Sequence, residues 1–255
     1  MDAPVIVRKT ERKEKHENPP ALYDLTTLQR DANRLLGYTA QQTLDYAQSL
    51  YEKKLCTYPR TDSRYLTGDM ADGLPVLVNA IAKAMSFAKG LYISAEIQQV
   101  INDGKVTDHH AIIPTMTLKD TNLAELPAGE RSTLYLISAR LLCAVGKKHD
   151  YAETIITVEC AGTELTAKGR SVLNPGWRTI DSACKAMLKG KAEKEDTEKP
   201  LPIVTDGEVL ELVSASVKEG KTTPPKHFTE DTLLSVMESA GSEDAPEDAE
   251  RKGLG

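Results

Sequence analysis

In the stretch "TTLQRDANRLLGYTAQQTLDYAQSLYEKK", Leu28, Ala32, Leu35 and Leu36 recur at helical spacing, Gly37 ends the run, and Leu44, Ala47, Leu50 and Tyr51 resume it. The pattern predicts two helices joined by a tight turn. Thr26-x-x-Gln29 and Thr39-x-x-Gln42 read as their start signals, because hydroxyl and amide satisfy the unpaired N–H groups of a first helical turn reciprocally. With the extended piece that follows at Leu55, the pair has the form of a helix-turn-helix unit. Helical spacing returns over residues 75–88 and 131–145 and, more loosely, over 97–101.

On either side of this block the period is different. A short apolar strand is expected over residues 5–7, running into a charged stretch that stops at Pro19 and Pro20. "ETIITVECAGTELTAKGR" alternates as two strands about a turn at residues 161–163, and "GEVLELVSASV" reads as another strand. Residues 188–200 form a charged, solvated linker. A last helix begins in "HFTEDTLLSVMESA", followed by the acidic loop "SEDAPEDAE". A strand before the helices and strands after them predict an α+β chain in which one β-rich domain is interrupted by an inserted, mainly α domain. The stop at "RKGLG", with no closing element, is what a segment cut from a longer protein gives.

With 255 residues and 40% apolar composition the chain can bury a sizeable core, in one or two domains. No apolar run approaches the roughly 20 residues that span a bilayer, and the N-terminus lacks a secretory signal, so no membrane partner and a cytoplasmic location are expected. Cys56, Cys143, Cys160 and Cys184 lie far apart, in no C-x-x-C pair, which suggests neither a zinc site nor a disulfide framework. A net charge of -6 argues against holding nucleic acid by bulk attraction, so any such site must be a local basic surface.

"LCTYPRTDSRYL", residues 55–66, sets a tyrosine in a polar, cationic setting. A phenol with a pKa near 10 is ionised to about one part in a thousand at neutral pH and needs help to attack phosphorus. In an extended chain, residues two apart share a side, so Tyr58 and Arg60 can face one phosphodiester. The guanidinium would stabilise its non-bridging oxygens, with Thr61, Ser63 and Arg64 as further phosphate contacts. A tyrosine beside proline in a polar turn is also an ordinary structural feature. In "TDHHAIIPT", residues 107–115, the paired histidines can bind a metal, contact phosphate or donate protons, or one can pack while the other is solvated. The D-H-H triplet has no D-x-D companion upstream, which weakens a metal-phosphoesterase reading.

These motifs together resemble the type IA DNA topoisomerases, specifically the topoisomerase III branch. "TYPRTDSRYL" is similar to the family's active-site segment, "TTLQRDANRLLGYTAQQTLDYAQSLYE" to the helical run leading into it, and "DHHAIIPT" to its histidine-bearing segment. "TPPKHFTEDTLLSVMESAG" resembles the return to the scaffold, and "NPGW" at 174–177 fits the strand region. The resemblance implies that Tyr58 attacks a single-stranded DNA phosphodiester to form a 5′-phosphotyrosyl link. Arg60 would hold the scissile phosphate, His109 would contact DNA phosphate near the break, and Thr61, Asp62 and Ser63 would shape the turn.

The family's architecture further implies a β-rich arch from 1–24 and 151–220, a tyrosine-bearing helical gate domain over 25–150, and the start of another DNA-binding domain over 221–255. The expected partners are single-stranded DNA and the Toprim domain that the family carries ahead of this region, with the chain itself a monomer. That acidic domain would bring Mg2+ to the full-length enzyme, whereas no cofactor or metal ligand is expected within this chain. The motif at Gly253 also breaks off before its expected continuation. Alone, then, the chain is expected not to relax supercoils. The competing expectation is a non-catalytic single-stranded-DNA-binding module, in which Tyr58 and Arg60 serve stacking and phosphate contact only.

Overall fold

The computed structural model describes residues 4–93, 95–190 and 200–239. The acidic loop, the C-terminal glycine motif and most of the expected linker lie outside the described residues. The chain divides into two compact units, Met1–Asn18 with Lys148–Gly176 and Lys194–Lys226, and Pro19–Lys147 with Trp177–Glu193 and His227–Gly255.

The first unit is an antiparallel sheet. β1 (Val5–Glu17) pairs with β2 (His149–Cys160), β2 with β3 (Thr163–Asn174), and the two-residue β4 (Val209–Leu210) with the start of β1, giving the order β3-β2-β1-β4. Two expectations need correction. The first strand runs for 13 residues instead of three, because its charged part finds cross-strand partners: Lys15 Nζ lies 2.6 Å from Glu153, and Arg8 2.7 Å from Glu159. In "GEVLELVSASV", by contrast, only Val209 and Leu210 pair, opposite Ile6 and Val5. The next position on β1 is Pro4, which has no N–H to give to the ladder.

β2 and β3 meet at a two-residue turn in which both Ala161 (φ 50°) and Gly162 (φ 77°) are left-handed, as a tight hairpin requires. An alanine there bears a steric cost of about 1 kcal/mol or more. Ala161→Asn is therefore expected to raise stability by about 0.5–1 kcal/mol, read as a higher urea midpoint.

The second unit is helical: α1 (Leu25–Leu36), α2 (Ala40–Glu52), α3 (Leu74–Ala84), α4 (Ala128–Ala144), α5 (Arg178–Lys189) and α6 (Glu230–Ser239). α2 opens with the expected box, in which Gln42 N–H donates to Thr39 Oγ1 (3.1 Å) and Thr39 N–H to Gln42 Oε1 (3.0 Å). α1 does not use Thr26 and Gln29. It starts at Asp24, whose carboxylate accepts from Thr27 N–H at 2.7 Å, and Gln29 instead donates to Ala40 O at 3.0 Å. A full negative charge is the better match to a helix N-terminus. Gly37 (φ 73°) closes α1, donating to Asn33 O.

The expected 75–88 helix is α3 plus a separate 3-10 turn at Ser86–Ala88, and the looser 97–101 segment is a 3-10 turn at Ile97–Val100. α4 has buried residues on every side, which suits a helix packed against α1, α2, α3 and α5. α5 was not expected. Ile180 and Cys184 are buried on its inner face, and Trp177 stands at its N-terminus, so "NPGW" leads out of the strand region into a helix. Among the described residues the compact units divide elsewhere than the expected boundaries: residues 19–24 and 177–190 fall with the helices, and residues 148–150 with the sheet.

No cysteine forms a disulfide. Burial pushes the Cys56 and Cys184 thiols up to about 12, and burial chiefly drives Cys143 well above its ordinary value. Alkylation of the native chain at pH 8 is expected to modify the half-buried Cys160 first, with the other three labelled only in denaturant; mass spectrometry of the peptides reads the order.

Candidate active site around Tyr58

α2 ends at Glu52, and Lys54 turns the chain with φ 59°. Residues 55–66 then run extended and are clamped to the histidine-bearing segment. Thr115 N–H donates to Leu55 O (3.1 Å), Thr57 N–H to Ile113 O (2.9 Å) and Ala111 N–H to Tyr65 O (2.9 Å). The Thr57 hydroxyl adds a second bridge, donating to Ala111 O (3.1 Å) and accepting from Ile113 N–H (3.0 Å). Behind this pair, Ile112 N–H donates to Tyr23 O and Leu25 N–H to Thr61 O, tying both segments to the entry of α1. The far end is pinned where Leu66 exchanges backbone bonds with Val100 and Asn102.

The clamp sets the Tyr58 ring 4.5 Å from the His109 ring, centroid to centroid, and 5.4 Å from the edge-on ring of Tyr51. Tyr58 is half-buried, while His109 and Arg60 are exposed. Burial alternates along the segment: Pro59, Thr61 and Ser63 are buried, whereas Arg60 and Asp62 are exposed. Tyr58 and Arg60 therefore fall at positions of the same parity on the outward side.

That alternation separates the residues expected to meet phosphate into inward and outward positions. The Thr61 hydroxyl donates to His109 O (2.8 Å) and the Ser63 hydroxyl to Lys105 O (2.8 Å), so both face inward and hold the loop in shape. Both hydroxyls are thus engaged with backbone carbonyls in or next to the histidine-bearing stretch. Arg64 is half-buried and donates from Nε to Leu22 O at 3.3 Å. His110 is half-buried with Nδ1 2.8 Å from Ala111 O, so of the two histidines His109 is the one against Tyr58.

Sequence reasoning passed over Thr57 and Tyr51. A threonine between two segments that must pair was a usable signal for the first. Tyr51 had been assigned to the apolar repeat of α2, yet it is 40% exposed. Neighbouring groups are poor alternative nucleophiles: Tyr23 is buried, and burial drives its phenol well above the ordinary range, while Cys56 carries the raised thiol already described. Among the described residues, no three His, Cys, Asp or Glu side chains are grouped to hold a metal ion. A cavity of about 150 Å³ in the helical unit, lined among others by Asp31, Arg34, Arg140 and Lys185, includes none of residues 51–66.

The helical unit and the antiparallel sheet make a mixed α/β fold similar to that of a type IA topoisomerase. Full-length topoisomerase I from Thermotoga maritima superimposes with a TM-score of 0.68 at 22% identity, over 94% of this chain and 38% of that one. The family model described as DNA topoisomerase matches residues 2–255, and the chain belongs to that family. It is 37% identical over 240 residues to DNA topoisomerase 3 of Bacillus subtilis and 36% identical over 244 residues to DNA topoisomerase 3 of Bacillus licheniformis. Each match covers 92% of this chain and 32% of the relative, so the chain spans about a third of the length of these relatives. Among the described residues no helix is long and apolar enough to cross a membrane.

Proposed function

We propose that this chain carries the nucleophilic half of a type IA topoisomerase site, acting on single-stranded DNA to change DNA topology. The observation that carries the reading is the backbone clamp that holds the half-buried Tyr58 against His109, with Arg60 exposed on the same strand, in a member of this family. Tyr58 Oη forms a bond to phosphorus while the bond to the 3′ oxygen breaks, leaving a 5′-phosphotyrosyl link and a 3′ hydroxyl. The bond energy is kept in the link, so the 3′ hydroxyl can reverse the step without nucleotide hydrolysis. Arg60 offers planar donors to the non-bridging oxygens as charge grows on them, and His109 contacts the adjacent phosphate.

Mg2+ would belong to a Toprim domain elsewhere in the longer enzyme, where it would steady charge on the phosphate. The roles above are those of this chain's own side chains. Without that domain the chain alone is expected to leave supercoiled DNA unrelaxed.

The test is adduct capture in the complete polypeptide, comparing Tyr58 with Tyr58→Phe after denaturant quench on a single-stranded oligonucleotide. An adduct in the Phe variant sinks the assignment. DNA binding without any adduct in either protein favours the non-catalytic binding module. Independently, Arg60→Ala is expected to lower the slope of log affinity against log salt by about 0.7, one single-strand phosphate's worth. An unchanged slope would put the DNA elsewhere.

A further inference from the structure

We infer that Tyr51 is a positioning residue for Tyr58, its ring holding the phenol in the orientation from which it reaches phosphorus. The inference rests on the Tyr58 reading above and deepens it, because the backbone clamp by itself does not fix the side chain. Bonds made by Thr57 and its neighbours settle where the backbone of residue 58 stands. They leave the torsions of a half-buried tyrosine free, and rotation about the first swings the phenolic oxygen by several ångströms. Ring contacts close that freedom. Tyr58 has aromatic neighbours on two different segments: His109, 4.5 Å away with the planes tilted by 48°, and Tyr51, 5.4 Å away and nearly perpendicular at 76°. The perpendicular pair is the edge-to-face arrangement in which the positive edge of one ring meets the negative face of the other.

The helix end that carries Tyr51 is itself fixed. Within α2 the buried stripe is Thr43, Ala47 and Leu50, and Tyr51 falls at its edge, so the core does not consume the ring. The helix closes with two bonds, Leu55 N–H to Leu50 O and Lys54 N–H to Tyr51 O, both 2.8 Å, around Lys54 in the left-handed region at φ 59°. This is the Schellman closure, in which glycine is the usual residue at the left-handed place and a lysine is strained. Packing holds it there. Leu50 and Leu55 are both buried, the Ser49 hydroxyl donates to the buried Glu130 of α4 at 3.0 Å, and Lys53 pairs with the same carboxylate. The Thr115 hydroxyl donates to Lys54 O, tying the turn to the histidine-bearing segment. A tyrosine with an exposed face could instead stack a DNA base, and the two roles differ in what they do to rate and to affinity.

The test compares Tyr51→Ala with Tyr51→Phe in the complete polypeptide, measuring single-turnover adduct formation on a single-stranded oligonucleotide beside oligonucleotide affinity. Tyr51→Ala is expected to slow adduct formation about 10- to 100-fold, the scale of a reacting group set out of line, with affinity within about twofold of wild type. Tyr51→Phe keeps the ring and should react at the wild-type rate. Should Tyr51→Ala fail to fold, Tyr51→Leu keeps apolar bulk at the helix end and is expected to be slowed in the same way. Three results overturn the inference. Equal losses of rate and affinity in Tyr51→Ala would make Tyr51 a DNA contact, a Tyr51→Phe as slow as Tyr51→Ala would assign the effect to the hydroxyl, and a wild-type rate in Tyr51→Ala would show Tyr58 placed without it. If the natural polypeptide gives no adduct, the cleavage reading falls by itself, and the order parameter of the Tyr58 side chain from NMR relaxation judges the ring contact: a drop in Tyr51→Ala upholds it, and an unchanged value sinks it.

Discussion

Tyr58→Phe in the complete polypeptide is expected to abolish covalent capture of single-stranded DNA, a loss of at least about 10^4-fold, the scale seen when a nucleophile is removed. The substitution deletes one oxygen and keeps the ring. The contacts to His109 and Tyr51 are ring contacts, so the site should keep its shape and stability should change by no more than about 0.5 kcal/mol. Substitute nucleophiles are poorly placed. The Thr57, Thr61 and Ser63 hydroxyls are engaged with backbone carbonyls, and Tyr23 is buried with its hydroxyl donating to Asp31 at 2.7 Å. Thr57→Val separates positioning from chemistry. It removes the hydroxyl bridge to Ala111 and Ile113 while leaving Tyr58 intact, so adduct yield should fall and partial activity remain. Single-turnover cleavage rates measured beside oligonucleotide affinity would make the distinction, since a pure binding defect moves only the second.

Asp31→Asn is expected to cost about 3 kcal/mol or more of stability, the largest effect away from Tyr58. Asp31 on α1 accepts from the Tyr23 hydroxyl, from Arg34 and from Arg140 of α4. Arg140 is itself largely buried, stacks 4.0 Å above the Tyr23 ring and donates to Ala21 O. Removing the carboxylate leaves that guanidinium buried without its counter-charge, which costs far more than losing an exposed pair. Burial by itself would raise the Asp31 carboxyl, but the charge of Arg140 and the hydrogen bonds from Arg34 and Tyr23 outweigh it and hold the group below its ordinary value.

A carboxyl held lower in the folded state than in the unfolded one favours folding at every pH above the ordinary value near 4, and that contribution fades as pH falls through the lowered native value. Urea midpoints of the natural chain should therefore drop in acid more steeply than those of Asp31→Asn. Parallel curves for the two proteins would show that Asp31 is not the group involved.

Periodicity was enough for the helical block because the apolar stripes of α1 and α2 are one-sided, and the capping pair of Thr39 and Gln42 is a local signal that needs no partner. It was enough, too, for the hairpin, where alternation flanks a two-residue turn. It failed where the partner decides. The charged half of β1 resembles a solvated linker until Glu153 and Glu159 stand across from it, and the apolar alternation beyond Leu210 forms no strand next to Pro4. α5 was hidden because Ile180, Ala183, Cys184 and Met187 sit between a turn signal and a charge run, and only packing against α4 gives that short stripe a reason to fold.

The same division runs through the site. The family was legible in the sequence through the resemblance of its ordered motifs, and two-residue spacing along an extended chain placed Tyr58 and Arg60 on one side, since both depend only on which residues stand in which order. Only the tertiary structure could show that the Thr61 and Ser63 hydroxyls face inward, or that the Tyr58 ring lies against His109. Both depend on where residues about 50 positions away in the chain supply backbone acceptors, and a hydrogen bond across such a separation leaves no trace in local spacing.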